Sequence, residues 1–270
     1  MILAPVLAVL LAAAPAPGRA APQRAAPAEC GPPVRAPGPL HWRTGESFTF
    51  DLDLLGLVKA GTLEVSVERP MSGGAVIPLR ARAKTDASVG NVRKIAGVGL
   101  SWIEAKSLLP ERYREESEEN GVHRMTDAKL LPRKPEIVID QKLRTRDARL
   151  VVRREGEVLD PLSTLFLLRS APLAAGDRFC FDLVGNGRFW RVEATVAPER
   201  DRVETGAGAF DTIRIDAVAT RKDRRGPSRP LHLWLSADAR RIPVAAVTEV
   251  EVGPVRATLA RMRGTASARR

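Results

Sequence analysis

The chain has few residues whose type and spacing would support catalysis or metal binding. Its three histidines, His41, His123 and His232, lie far apart, and none has a second histidine three or four residues away. Zinc sites need such close groups of His, Cys, Asp or Glu ligands. A Ser-His-Asp triad can assemble from distant segments, but the Gly-x-Ser-x-Gly motif of the α/β hydrolases is missing. The residues therefore predict no metal, no cofactor and no catalytic group, and they favour a protein that is not an enzyme.

The residues best suited to binding are apolar or basic. Two tryptophans with apolar neighbours could line a groove, and two consecutive arginines could meet an anionic head group at its mouth. The alternative for each aromatic residue is a place in the core. The candidate ligand-binding residues are Trp102, Leu165, Phe166, Trp234, Arg240 and Arg241.

These candidates need elements that position them, and the clearest is a helix near residues 160–170. Asp160 suits an N-cap because its carboxylate accepts backbone N–H groups, and Pro161 suits the first helical position. Leu162, Leu165 and Phe166 then recur at helical spacing. Ser163 is best explained as a residue of the first turn rather than a nucleophile.

The rest of the chain is typical of strands. In residues 47–54, Phe48, Phe50 and Leu52 alternate with polar residues, which predicts a half-buried strand. Asn120 and Gly121 predict a hairpin turn. Many short strands separated by turn signals indicate a mainly β fold with one large antiparallel curved sheet, as a half-open barrel or sandwich, and one packed helix.

The N-terminal pattern predicts export. Residues 1–20 resemble a signal peptide, with an apolar run and small residues at Gly18 and Ala20, although no Lys or Arg precedes the run. Residues 21–39 are rich in Ala and Pro, which predicts a disordered linker. Residues 40–263 are expected to form a single β-rich domain, and residues 264–270 a disordered tail. We expect a periplasmic or exported protein, either free or at a membrane surface, with no transmembrane segment in the mature chain.

The two cysteines, Cys30 and Cys180, leave two alternatives open. They can pair in an exported protein, or Cys180 can be a small buried residue while Cys30 is a free thiol in the linker. Lipid attachment at Cys30 is disfavoured because Glu29 precedes it.

The chain is basic, with 43 Lys and Arg against 32 Asp and Glu and a net charge of +11. Most basic residues are arginines spread along the chain, which is typical of a GC-rich genome. The alternative is attraction to anionic head groups. Because the basic residues are not grouped with aromatics, nucleic acid is not an expected partner.

In order and spacing, several short blocks resemble the bacterial family of domain-of-unknown-function 3108 over roughly residues 39–263. They are Gly45-Glu46, Leu57-Val58-Lys59-Ala60-Gly61, Asp160-Pro161-Leu162-Ser163-Thr164-Leu165, Gly176-Asp177, Glu204-Thr205-Gly206-Ala207-Gly208-Ala209-Phe210, Leu233-Trp234-Leu235-Ser236-Ala237-Asp238 and Arg241-Ile242-Pro243-Val244. The resemblance implies an exported β-rich envelope protein without an established activity, and it implies no site residues.

Two functions remain in view. The first is non-catalytic binding of a hydrophobic or amphipathic ligand, such as lipid or a lipoprotein acyl chain, in an apolar cavity between the helix and the sheet; this rests on analogy of fold. The second is a structural or assembly factor of the cell envelope that contacts other proteins through its outer surface or sheet edges.

Overall fold

A computed structural model describes residues 31–54, 56, 58–86, 94–144, 146–223, 226, 228–250 and 253–265. It contains fifteen strands and one α-helix, with a short 3-10 turn at Ser72–Gly74. The strands are β1 (Ser47–Leu54), β2 (Val58–Val67), β3 (Val76–Thr85), β4 (Ile95–Glu104), β5 (Pro110–Glu119), β6 (Val122–Lys129), β7 (Glu136–Leu143), β8 (Arg146–Arg153), β9 (Val158–Leu159), β10 (Arg178–Gly185), β11 (Arg188–Thr205), β12 (Gly208–Arg221), β13 (Arg229–Ser236), β14 (Pro243–Val250) and β15 (Gly253–Arg263). The helix, α1, is Pro161–Ser170.

All the strands belong to one sheet, in the order β8-β7-β6-β5-β4-β3-β2-β1-β15-β14-β13-β12-β11-β10-β9. Each strand pairs with its neighbour in sequence, except where β1 pairs with β15 and so joins two meanders. The pairs are antiparallel apart from β9 with β10, which is parallel. The end strands β8 and β9 do not pair, so the sheet stays open. The predicted mainly β fold with one helix is confirmed.

One strand is much longer than its sequence pattern predicts. Residues 187–196 and 202–205 suggest two strands, but β11 runs without a break from Arg188 to Thr205. Its register against β12 shifts between Val196 and Arg200, around Pro198. Proline lacks the N–H that a ladder needs, and a bulge lets the strand pass it.

Helix α1 begins as the sequence predicts. The Asp160 carboxylate accepts the backbone N–H groups of Leu162 at 2.8 Å and Ser163 at 3.0 Å. In return the Asp160 N–H donates to Ser163 Oγ at 2.9 Å, which completes a capping box. A third donor, Ser101 Oγ, lies 2.6 Å from the Asp160 carboxylate and ties the cap to β4.

The helix fills the space against the sheet at one end of the molecule. Phe166 is fully buried, and its ring meets that of Trp42 edge to face with centroids 4.9 Å apart. Arg169 is also buried, and its Nη1 donates to Glu46 at 2.8 Å while its guanidinium lies 4.9 Å from the Phe166 ring. The apolar cavity predicted between helix and sheet is therefore not formed at this interface, because side chains occupy the space.

The sheet curls until its two halves meet. A second apolar cluster joins β5, β6 and β7, through residues such as Tyr113 and Ile139, to Val158, Val184 and Phe189 on β9, β10 and β11. These strands are far apart in the order of the sheet, so only strong curvature brings their side chains together.

Candidate functional site

The concave face of the sheet is buried at the helix end and becomes exposed towards the opposite end. On β13, Leu235 is fully buried, Leu233 is half-buried and Leu231 is 38% exposed. On β15, Leu259 is fully buried and Val255 half-buried. The apolar pattern of the core thus continues beyond the part of the sheet that the helix covers.

At this exposed end the pairing register places apolar side chains side by side across six strands. Directly paired residues of antiparallel strands project from the same face. The resulting apolar row consists of Val58, Leu54, Val255, Thr248, Leu231 and Ala217, on β2, β1, β15, β14, β13 and β12 in turn. Thr248 is its polar member and Ala217 is buried, so the row is a largely apolar surface that is partly exposed.

A cleft of about 640 Å³ lies between the strands β2 to β7 and the β10–β11 hairpin, and it shares strand β2 with the apolar row. Ala81, Ala83, Gly97 and Gly99 line it, and their small side chains leave the space open. A Cβ on Gly97 would come within 3.3 Å of the Glu116 carbonyl oxygen. The cleft exists because β3 and β4 carry small residues where the same face nearer the helix carries leucine and isoleucine.

The tip of the β10–β11 hairpin forms the far wall of the cleft. Asn186 and Gly187 adopt positive φ values of 53° and 60°. The Gly187 N–H donates to Glu115 Oε1 at 2.7 Å, and its carbonyl oxygen accepts from Gln141 Nε2 at 2.6 Å. A Cβ on Gly187 would lie 3.2 Å from Thr126 Oγ1. The hairpin tip therefore fastens the two halves of the sheet together.

The floor of the cleft near this contact is polar. Tyr113 donates from its hydroxyl to Glu115 Oε2 at 2.9 Å. Burial, together with the negative charges of Glu115 and Asp160, raises the pKa of the Tyr113 hydroxyl well above its usual value. Tyr113 is thus a neutral hydrogen-bond donor at physiological pH.

Charged residues ring the cleft. Three arginines, Arg124, Arg188 and Arg221, line it together with two acidic residues, Glu115 and Asp223. The site therefore combines small apolar residues, a few hydrogen-bonding groups and a slight excess of positive charge.

The structure does not bring the six predicted ligand-binding residues into one groove. Trp102 and Trp234 alternate with buried inner-face residues and so lie on the outer face, where Trp102 contacts Arg112 and Trp234 Nε1 donates to Asp201 at 2.8 Å. Phe166 is in the core and Leu165 is partly buried against it. The guanidinium of Arg240 pairs with Asp238, and that of Arg241 donates to the Ala237 carbonyl. The open end of the sheet was not predicted as the site.

Cys180 is buried on β10 and is disulfide-bonded. Its backbone N–H donates to the Gly31 carbonyl at 3.0 Å, which places the chain next to residue 30 against β10. The other cysteine, Cys30, lies outside the described residues, so the pair stays a proposal. The predicted signal peptide and residues 21–30 of the predicted linker also lie outside them.

Within the described ranges no group of three or more His, Cys, Asp or Glu residues could hold a metal ion. In the same part of the chain, no helix has the length and apolar character that a membrane crossing requires.

Comparison with known families identifies the chain. A family model described as protein of unknown function (DUF3108) matches residues 49–260, which is most of the chain. The chain belongs to the DUF3108 family. The predicted resemblance is confirmed, and no curated protein matches the chain.

Solved structures that match this DUF3108 protein have little sequence in common with it. A β-barrel-like protein of DUF1849 from Brucella abortus is 12% identical with a TM-score of 0.54, over 80% of this chain and 96% of that one. A candidate exported protein with a YmcC-like fold from Bacteroides fragilis is 8% identical with a TM-score of 0.30, over 86% and 99%. A candidate lipoprotein from Parabacteroides distasonis is 7% identical with a TM-score of 0.34, over 83% and 97%. The first likeness supports the fold.

Proposed function

We propose that this DUF3108 protein is an exported, non-catalytic binding protein that holds a hydrophobic or amphipathic ligand, such as a lipid or a lipoprotein acyl chain, at the open end of its curved sheet. The observation that carries the proposal is the apolar row, which continues the core past the helix with Val58 still 47% exposed and Leu231 38% exposed. Concave apolar surfaces rimmed by polar residues are typical of binding sites. Export rests on the signal-peptide pattern of residues 1–20.

The adjoining cleft suits a ligand with a polar end. Its volume of about 640 Å³ is within the range of small-molecule sites. An alkyl chain would lie along the apolar row and over the small residues of β3 and β4. A polar end would reach the hydroxyl of Tyr113 and the charged residues of the rim.

A neutral fluorescent probe, N-phenyl-1-naphthylamine, tests the site in the protein expressed with residues 1–20 in place. We expect Leu231→Glu to weaken probe binding at least tenfold, because it puts a charge in the apolar row. The matched control is Val218→Glu, since Val218 is similarly exposed, at 45%, on the outer face of the neighbouring strand. Equal binding by both variants, or no binding by the unsubstituted protein, would refute the proposal.

Native mass spectrometry of the same preparation, followed by organic extraction, would identify any bound molecule. A co-purified lipid supports the proposal and gives the ligand class. If the mass shows no bound molecule and the probe does not bind, the results favour a function in contacts with other proteins.

A second candidate function is assembly with other envelope proteins, and the edge strand β8 favours it. Among the described residues β8 pairs only with β7, and Val151 on it is 52% exposed. A free edge can accept a strand from another chain, although arginines such as Arg146 and Arg149 disfavour nonspecific pairing with other strands. A photocrosslinker at Val151 should capture a defined envelope protein that the same crosslinker at Val218 does not, and capture should disappear in Val152→Pro. Equal capture at both positions would reject this function.

A further inference from the structure

We infer that the edge strand β8 is a contact surface for a second copy of this chain, with the two β8 strands antiparallel about a two-fold axis at Leu150. The inference goes beyond ligand binding at the open end of the sheet and does not depend on it. It assigns the edge to one partner, whereas the assembly function above assigns it to a different envelope protein. The observations that carry it are the open edge and the order of charges along β8.

The edge of β8 is accessible along its length. All its residues are exposed except Leu150 and Val152, which are half-buried where they pack against the second apolar cluster. Just after the strand, the Arg154 N–H donates to the Pro135 carbonyl on the β7 side at 2.8 Å. Because backbone groups alternate in direction along a strand, those of the odd-numbered residues in 147–153 point away from β7. They can therefore form main-chain hydrogen bonds with another strand.

The charges of β8 favour one register between two copies. With the axis at Leu150, Asp147 lies opposite the partner's Arg153, and the two-fold symmetry makes this opposite-charge pair form twice. Arg149 then lies opposite the partner's Val151, whose side chain is 52% exposed. Moving the axis by one residue in either direction places Arg149 opposite a second arginine, which is destabilising. The edge is thus complementary to itself in this arrangement.

The neighbouring strand β7 extends the complementarity. Asp147 pairs in register with Lys142, and Arg153 pairs in register with Glu136. Across the two-fold axis these four side chains form one row of alternating sign, in the order Lys142, Asp147, the partner's Arg153 and the partner's Glu136. Neither Asp147 nor Arg153 forms an ion pair with another of the described residues. Both are therefore available to a second copy.

The remaining side chains are compatible with this pairing. The charge of Arg149 is balanced by Asp140 on β7 at 3.2 Å, and its aliphatic stem can cover the partner's Val151. On the inner face, Leu150 meets its own copy on the axis, which brings the second apolar clusters of the two copies together. An interface made by one strand from each copy is small, so we expect a weak and reversible dimer.

Sedimentation equilibrium of the full chain measures this association over about a hundredfold range of concentration. We expect a monomer–dimer equilibrium that weakens as the salt concentration rises, because the two ion pairs are exposed. Asp147→Arg and Arg153→Asp should each lower the association constant by about tenfold or more, since like charges then face each other. Unfolding midpoints verify that both variants are folded.

A mixture of these two variants tests the pairing itself. In an equimolar mixture one copy has two arginines at these positions and the other has two aspartates, so both opposite-charge pairs are restored. A heterodimer should form about as tightly as the unsubstituted dimer, although each variant alone stays monomeric at that concentration. The matched control is Arg202→Asp, which reverses an exposed arginine of β11 away from the edge and should dimerise normally.

Cysteine crosslinking tests the register. Leu150→Cys places a thiol on the axis opposite its own copy, within reach of a disulfide, so mild oxidation should give a covalent dimer. Val152→Cys is the matched control on the same face. It lies opposite the partner's Ala148, too far from its own copy for a disulfide, and should stay largely monomeric. Equal crosslinking of both variants, or none of either, rejects the register.

The other outcomes are equally clear. A monomer at every concentration overturns the inference, as does a dimer that persists in both single variants. Failure of the mixture to associate refutes the pairing of Asp147 with the partner's Arg153. Loss of the dimer in Arg202→Asp shows that net charge is responsible and also refutes it. A crosslinker at Val151 that captures a different envelope protein while the chain stays monomeric supports the assembly function instead. Lipid binding at the open end is unaffected by any of these results.

Discussion

Replacing Asp160 with asparagine should make the protein less sensitive to pH. Asp160 is completely buried, and burial raises its pKa from 3.8 to about 6, even though Ser101 and the first turn of α1 donate hydrogen bonds to it. Asparagine keeps the shape, caps a helix about as well as aspartate and can donate to Ser101 Oγ. The substitution therefore removes the charge and preserves the cap.

The direction of the effect follows from the two states of the protein. The unfolded chain loses the Asp160 proton near pH 3.8, whereas the folded chain holds it until about pH 6. Between these values unfolding releases a proton, so the contribution of Asp160 to stability is greatest at low pH and is lost as the pH rises through the folded-state pKa. A shift of about 2 units corresponds to about 3 kcal/mol at 1.36 kcal/mol per unit.

Urea unfolding followed by tryptophan fluorescence measures this effect between about pH 4 and about pH 7.5. The free energy of unfolding of the unsubstituted protein minus that of Asp160→Asn should fall by about 2.5 kcal/mol across this range, because the unfolded chain is already partly ionised at the lower pH. Other titrating groups cancel in the difference. In contrast, Asp160→Ala removes the cap itself and should show a loss of about 1 kcal/mol at every pH, in addition to the same pH trend. A difference between the unsubstituted protein and Asp160→Asn that does not change with pH would refute this reasoning.

Three further perturbations test other contacts. Glu46→Gln should lower the free energy of unfolding, measured in urea, by about 3–5 kcal/mol because it leaves the Arg169 charge buried without its partner. Adding Arg169→Met should recover part of that loss. If the two substitutions instead lower the free energy of unfolding additively, the pairing is contradicted. Gly187→Ala should lower the free energy of unfolding by about 1 kcal/mol more than Gly121→Ala does. Both glycines have positive φ, but only Gly187 has a neighbour within 3.4 Å of an added Cβ. Equal losses in the two variants would show that the hairpin tip is not held against the sheet. The proposed disulfide predicts that the intact mass rises by two hydrogens on reduction and that Cys180→Ala abolishes this change; an unchanged mass would reject it.

Local sequence signals predicted the elements of the fold well. The cap at Asp160, the helix that follows and the turn at Asn120 and Gly121 depend on neighbouring residues, and each is present in the structure. Alternation in residues 47–54 predicted β1 with its correct bounds. Such features need only local hydrogen bonding and periodicity.

The candidate site was harder to predict because it depends on which strands meet. Glu115 belongs to a run of acidic residues before the Asn120-Gly121 turn, a pattern typical of a solvent-facing hairpin tip, yet its carboxylate accepts the N–H of Gly187 at the tip of another hairpin, 72 residues away. The face of Trp234 could have been inferred, since it alternates with Leu233 and Leu235. The cleft itself depends on Ala83 pairing with Gly97 across two strands, and a single sequence does not give that register.

The pairing of β1 with β15 also determines the order in which the protein can fold. Ser47 pairs with Arg263, so the first strand has no partner on one side until the last strand has been made. Contacts between residues so distant in sequence slow folding. Until then the exposed edges of β1 and β14 can pair with other chains. A chain truncated within β15 would keep both meanders and lose the strand that joins them, so aggregation is the expected fate of an incomplete product.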